Sequence, residues 1–135
     1  MGKNYVDIED DQGSTLRYRK HANGRGLIAH GAKVHPQALV EAGAYVEPGA
    51  KVGAGARVAR GAWIEPGAII GVNARIDAHA HIGEGATVGD GASVGVRTDI
   101  GAGARIARGA RIGDDETIAA GMAVMTDRKG LWLAA

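Results

Sequence analysis

The chain contains no cysteine and no phenylalanine, and aromatic residues make up only 4% of its 135 residues. Without cysteine, neither thiolate metal ligands nor disulfide staples are available, and the redox compartment leaves no mark. The scarcity of aromatics excludes a core built from large rings. Sixteen basic residues against fifteen acidic ones leave a net charge of +1, which is no electrostatic footprint for nucleic acid. No apolar run approaches the roughly 18 residues of a membrane span, and nothing reads as a basic amphipathic helix for a membrane surface. The first residues, MGKNYVDIEDD, are polar and acidic, unlike a secretory signal. These features lead us to expect no nucleic-acid or membrane partner, and a protein that is cytoplasmic or part of an assembled particle.

What the chain has instead is glycine, 23 residues of it, together with abundant Ala, Val and Ile that bring the hydrophobic share to 45%. Such a composition must bury its apolar groups in something narrow. The arrangement of those residues is strictly periodic. Every sixth residue from Ile28 to Val124 is Ile or Val, seventeen positions in a row without an insertion. The position two earlier is alanine in Ala32, Ala38, Ala44 and every sixth residue on to Ala92, then again in Ala104 and Ala110. Both positions share a parity, so on extended backbone they point to the same side. One small and one β-branched residue is what a strand lining a narrow interior needs.

Between these pairs lie Pro48-Gly49, Pro66-Gly67, Asn73, Asp90-Gly91 and Asp114-Asp115, residue types suited to corners. A helix is excluded because six is not a helical period and each interior glycine would cost about 1 kcal/mol. Three short strands and three corners make an eighteen-residue coil, and YVEPGA (45–50) recurs as WIEPGA (63–68) at that offset. The coils begin at Leu27, Tyr45, Trp63, His81, Asp99 and Thr117, about 5.5 coils in all. The fold class expected is all-β: a single-stranded parallel solenoid of triangular section.

Three segments follow from the pattern. Residues 1–26 form an N-terminal cap, in which Tyr5–Glu9 and Thr15–Arg19 alternate around an Asp-rich turn and read as a β-hairpin. Residues 27–125 are the hexapeptide-repeat body. Residues 126–135 are a tail whose Leu131-Trp132-Leu133 reads as an apolar plug. Glu116 and Met122 fall on positions that are alanine upstream, which predicts a looser last coil.

The hexads IGEGAT (82–87) and IGAGAR (100–105) resemble the hexapeptide-repeat superfamily, over nearly three quarters of the chain. That resemblance implies a left-handed parallel β-helix, frequent trimers, and activities that include acyl-CoA-dependent acyltransferases and gamma-class carbonic anhydrases. The metal signature of the latter calls for three histidines at a characteristic spacing, which the five histidines here do not match, so no metal is expected.

A filled interior confines any site to the outer faces and the two ends. On the first face Leu27, Tyr45, Trp63 and His81 form an outward ladder, expected to be an oligomer interface because contiguous exposed aromatic area marks one. Glu47 and Glu65 lie beside it. Basic ladders run along the other two faces: Lys33, Lys51 and Arg105 on the second, Arg57, Arg75 and Arg111 on the third. Such ladders are ordinarily solvated faces interspersed with acids, here Glu41 and Asp77; the alternative is a seat for an anion such as a coenzyme phosphate. The catalytic candidates are His81 and His79, as general bases near a subunit boundary. No coil is interrupted by a loop that would shape a substrate site. On that ground the main expectation is a structural or assembly module: a rigid homotrimeric prism, without cofactor, attached to a larger assembly through Tyr5, Val6, Ile8, Leu16 and Tyr18 of the hairpin. The alternative is a small acyltransferase that takes acyl-CoA as substrate and uses a histidine at the subunit interface.

Overall fold

The computed structural model describes residues 5–9 and 13–126. The hexad repeat builds two-residue strands, each an outward residue followed by a buried Ile or Val: Trp63–Ile64, Ile69–Ile70, Arg75–Ile76, His81–Ile82 and onward to Ala123–Val124. Strands one coil apart pair in parallel with an eighteen-residue offset, as in Trp63 with His81 and Ile64 with Ile82. Three sheets of eight, six and five strands form the sides of the prism. Backbone hydrogen bonds run along its axis, for example from Trp63 N–H to Ala80 O and from His81 N–H to Thr98 O, both 2.9 Å.

The interior is the pair of ladders that the period demands. Ile28, Val46, Ile64, Ile82 and Ile100 are fully buried on one face, and Ala38 through Ala92 are buried at every sixth position. Alanine has to stand there because a larger group would meet the side chains arriving from the other two faces in an interior packed to crystal-like density. Three members of that column depart from alanine: Thr98, Glu116 and Met122. Thr98 is fully buried; its Oγ1 donates to Gly113 O at 2.6 Å and accepts from Glu116 N–H at 3.2 Å. Glu116 is half-buried and Met122 is 36% exposed, yet Ile118 and Val124 remain buried. The last described coil therefore keeps its aliphatic core.

The N-terminal hairpin is formed by β1 (Tyr5–Glu9) and β2 (Thr15–Lys20). They pair antiparallel with Val6 opposite Tyr18 and Ile8 opposite Leu16, and Asp7 meets Arg17 Nε at 2.9 Å. β2 then pairs antiparallel with β3 (Leu27–Ala29), the first strand of the solenoid. The hairpin thus folds back on the chain's own first coil and continues the first face by two strands. Tyr18 is buried there, its ring edge-on to Tyr45 at 5.7 Å. The expected plug at Leu131-Trp132-Leu133 lies outside the described residues.

Candidate functional site

The first face carries a chain of contacts that ends on a histidine. Its outward row is in register from coil to coil: Leu27, Tyr45, Trp63, His81, Asp99, Thr117. One residue beyond the buried aliphatic in coils two and three stand Glu47 and Glu65, the acidic members of the repeated YVEPGA and WIEPGA hexads. Because strand residues two apart share a side, each glutamate lies next to the outward residue of its own strand.

His81 is held from both ends. Its Nδ1 lies 2.7 Å from Asp99 Oδ1, one coil on, and its Nε2 makes a short contact with Glu65 Oε2, one coil back. Its imidazole also lies against the indole of Trp63, ring centroids 5.0 Å apart and tilted by 35°. The side chain is about one-third exposed. Partial burial lowers its pKa, but the hydrogen bonds it donates to Asp99 and Glu65, together with their charges, outweigh it, and the net shift is upward from 6.5. Carboxylates only accept, so a ring that satisfies both is the imidazolium, donating from each nitrogen.

Trp63 is held in turn. Its Nε1–H donates to Glu47 Oε2 at 2.6 Å, and the other oxygen of Glu47 accepts from the Tyr18 hydroxyl at 2.6 Å. Burial, followed by that hydrogen bond, pushes the Tyr18 pKa up, so Tyr18 stays the donor. The network joins hairpin, indole and imidazole: Tyr18, Glu47, Trp63, His81, with Glu65 and Asp99 at its end. A shallow groove lined by Ile8, Tyr18, Tyr45, Glu47 and Trp63 opens beside it.

His79 sits two residues before His81, at the corner that precedes the first face, with φ of 61°. That corner is unlike the other two. At eighteen-residue steps it runs Arg25, Gly43, Gly61, His79, Arg97, Asp115, every one with positive φ. Non-glycine residues in that region carry a backbone cost of about 1–2 kcal/mol each. Here three of them follow one another beside His81 and Asp99. Arg97 Nε and Asp115 Oδ1 form an ion pair at 2.7 Å.

No protein-family model matches the chain, and no curated protein matches it. Solved structures do. The chain is 33% identical to a perosamine N-acetyltransferase from Caulobacter crescentus, solved in complex with CoA and GDP-perosamine. The TM-score is 0.73, over 74% of this chain and 48% of that one. A UDP-N-acetylglucosamine acyltransferase from Bacteroides fragilis matches at 16% identity, TM-score 0.57, over 74% of this chain and 53% of that one. A hexapeptide transferase family protein from Anaplasma phagocytophilum matches at 17% and 0.51, over 71% and 70%; at such identities the likeness is one of fold. The chain belongs to the hexapeptide-repeat superfamily. Its solenoid is the left-handed β-helix of that superfamily, and it spans about half the length of the Caulobacter enzyme.

For this hexapeptide-repeat protein the expectation of a structural assembly module is overturned. The solved structure that is a third identical to it is an acetyltransferase holding CoA, not a shell or scaffold component. The uninterrupted repeat does leave room for a site, because a flat parallel face brings residues sixteen to eighteen positions apart into contact, and Glu65, His81 and Asp99 assemble with no loop.

Of the residues expected on the first face, Trp63 is 46% exposed, while Leu27, Tyr45 and His81 are half-buried. Of the hairpin residues expected to attach elsewhere, Tyr18 is buried against the first face and Val6, Ile8 and Leu16 are half-buried. Tyr5 pairs through its backbone with Arg19. Glu65, beside the ladder, and Asp99, within it, are the partners of His81, a pairing that becomes apparent only when the coils are stacked.

Proposed function

We propose that this protein transfers an acyl group from acyl-CoA to an amine. The observation that carries this reading is His81, set between Asp99 and Glu65 on an open face. Support comes from the likeness to an N-acetyltransferase solved with CoA and an amino-sugar nucleotide; two structures of that enzyme have a histidine replaced by Asn or Ala. Asp99 fixes the ring through Nδ1, the orienting role such a carboxylate plays for a catalytic imidazole. Nε2 faces Glu65. A cationic amine entering beside Glu65 takes over that charge and weakens the stabilisation of the imidazolium, whose Nε2 proton passes to solvent, to be regained after product leaves, so that the Nε2 lone pair is free.

The neutral amine nitrogen then attacks the thioester carbonyl carbon. As the N–C bond forms, Nε2 takes the proton from that nitrogen. As the C–S bond breaks, the same proton passes to the leaving sulfur, giving an amide and the free thiol of CoA. An amine that arrives as an ammonium releases one further proton to solvent. In this reading the working unit is a homotrimer with the first face at the subunit boundary, where the exposed Trp63 indole would be covered.

The test is release of CoA thiol from acetyl-CoA in the presence of amino sugars and simple amines. Amine-dependent release, lowered by about 10²-fold or more in His81→Ala as for loss of a general base, is expected. Release that ignores the amine, or that survives His81→Ala unchanged, overturns the reading.

A further inference from the structure

The repeated hexads YVEPGA (45–50) and WIEPGA (63–68) place one device twice on the first face. In each, the glutamate reaches the outward ring sixteen residues further on. Glu47 accepts from the indole of Trp63, and Glu65 meets the imidazole of His81. Two rings are held in succession, and only the second of them titrates.

The carboxylates on His81 fix an axis and leave a rotation. Among the described residues, the charged groups on the ring are Glu65 from the preceding coil and Asp99 from the following one. They sit on opposite nitrogens. Bonds at Nδ1 and Nε2 hold the line between those atoms but not the plane of the ring about it. That plane is set by Trp63, whose indole lies against the imidazole with centroids 5.0 Å apart and a tilt of 35°. An aromatic face so placed also attracts the imidazolium more strongly than the neutral ring.

The indole needs a support of its own. It is 46% exposed, and side-chain torsions next to a flat ring are broad, so its orientation rests on the bond from Nε1–H to Glu47. The second oxygen of Glu47 is bound by the Tyr18 hydroxyl at 2.6 Å. Tyr18 is the firm end of the series, 3% exposed and edge-on to Tyr45. The hairpin, although two coils away from His81, is thereby joined to it through one carboxylate and one indole.

We propose that Glu47 and Trp63 are positioning residues for His81, and that the hairpin governs them through Tyr18. With the hairpin docked, the indole sets the plane of the His81 ring. With Tyr18 withdrawn, the indole turns and the imidazole loses its third point of support. The inference rests on the acyl-transfer reading for its effect on rate; its effect on His81 is measured without turnover.

Proton NMR of the full chain follows the Cε1–H resonance of His81, assigned by its loss in His81→Gln, as pH is raised. The proteins are the parent, Trp63→Leu, Trp63→Phe, Tyr18→Phe and Trp63→Phe/Tyr18→Phe. Thiol release from acetyl-CoA with an amine is measured over the same range. Trp63→Leu removes the aromatic face and should lower the His81 midpoint by roughly 0.5 in pH, the equivalent of a cation–π contact at an exposed site. Trp63→Phe keeps a face and should recover much of that change. Tyr18→Phe should lower the midpoint in the parent background, and not at all once Trp63→Phe has cut the link to Glu47. The pH profile of kcat should move with the midpoint and its plateau should fall, while KM for acetyl-CoA holds. Ile118→Val, in the core of a distant coil, lowers stability and should leave the midpoint where it is.

A midpoint unmoved by Tyr18→Phe means that the indole is held without the hairpin, by its own packing or by a second copy, and overturns the inference. So does a shift of equal size in both backgrounds, or one matched by Ile118→Val. A kcat that falls evenly across the pH range, with no movement of the profile, reduces the network to a structural role and overturns it as well. Thiol release that persists in any of these cases leaves the acyl-transfer reading standing. The expected midpoints in a parent that releases no thiol reject that reading and support the link from hairpin to histidine.

Discussion

The indole N–H of Trp63 donates to Glu47 at 2.6 Å, and the second oxygen of that carboxylate holds Tyr18 of the hairpin at the same distance. One half-buried glutamate therefore fastens the terminal cap and the ring that supports His81. Glu47→Ala removes both acceptors at once and is expected to cost about 1–3 kcal/mol, the range for stranding a buried donor. The checks are the urea midpoint and, in a Trp132→Phe background, the emission of Trp63. An unchanged midpoint and unchanged emission would show that the contact has no energetic weight.

The histidine predicts a pH dependence of stability. Because Asp99 and Glu65 raise the pKa of His81 in the folded state above 6.5, protonation favours folding. Its contribution is fully present below the unfolded value of about 6.5. It is lost as pH rises through the folded value. Urea midpoints measured from pH 6 upward should fall across that window in the parent and fall less in His81→Gln. Parallel profiles would remove His81 as the cause. Amine acylation should run the opposite way, rising with pH as Nε2 loses its proton.

Gly61 lies beneath His79 at the corner before the first face. Its φ is +73°, and a Cβ there would collide with the imidazole of His79. Gly61→Ala combines a left-handed alanine with displacement of that ring, and about 1–2 kcal/mol is expected from the backbone alone. Gly85→Ala has a similar φ of +68° but meets nothing within 4 Å, so it serves as the control that carries only the backbone cost. Equal losses in the two would mean the His79 contact is free to yield.

The interior tolerates neither more volume nor less. Ile82→Ala in the fully buried ladder should cost about 2–5 kcal/mol through lost transfer energy and a residual cavity. Ala80→Val, filling a position that is 1% exposed, should cost about 1–3 kcal/mol by overpacking. Thermal unfolding reads both. A neutral Ala80→Val would mean that the prism expands to accommodate it.

The solenoid was legible because its rules are local. Six residues suffice to distinguish inward from outward positions, and repetition from Ile28 to Val124 removes the ambiguity of any single hexad. The hairpin was legible for the same reason, from alternation in Tyr5–Glu9 and Thr15–Arg19, the second strand running one residue further to Lys20. The site was harder because its partners are sixteen and eighteen residues away from His81 and become neighbours only once the coils are stacked. The outward column sets Asp99 directly after His81, but exposed aromatic area is the louder feature of that column and the carboxylates are the quieter one. Departures from the repeat were the stronger signal. Thr98 in the alanine column, and His79, Arg97 and Asp115 where the same corner had carried glycine, all gather near His81 and Asp99. A sequence so regular marks its chemistry where it stops being regular.

Axial hydrogen bonding has a consequence for how the molecule comes apart. Each coil is tied by backbone bonds only to the coil above and the coil below, so loss of order travels inward from an end, one coil at a time. His81 opens the fourth coil, with its partners in the third and fifth. Before Asp99 can be released from the far side, the segment from Thr117 to Thr126 has to peel away. The opposite side is guarded by two coils and the hairpin. Amide exchange should therefore record a gradient, slowest around Ile82 and Ile64, so that the reacting residues outlast the fraying of their surroundings.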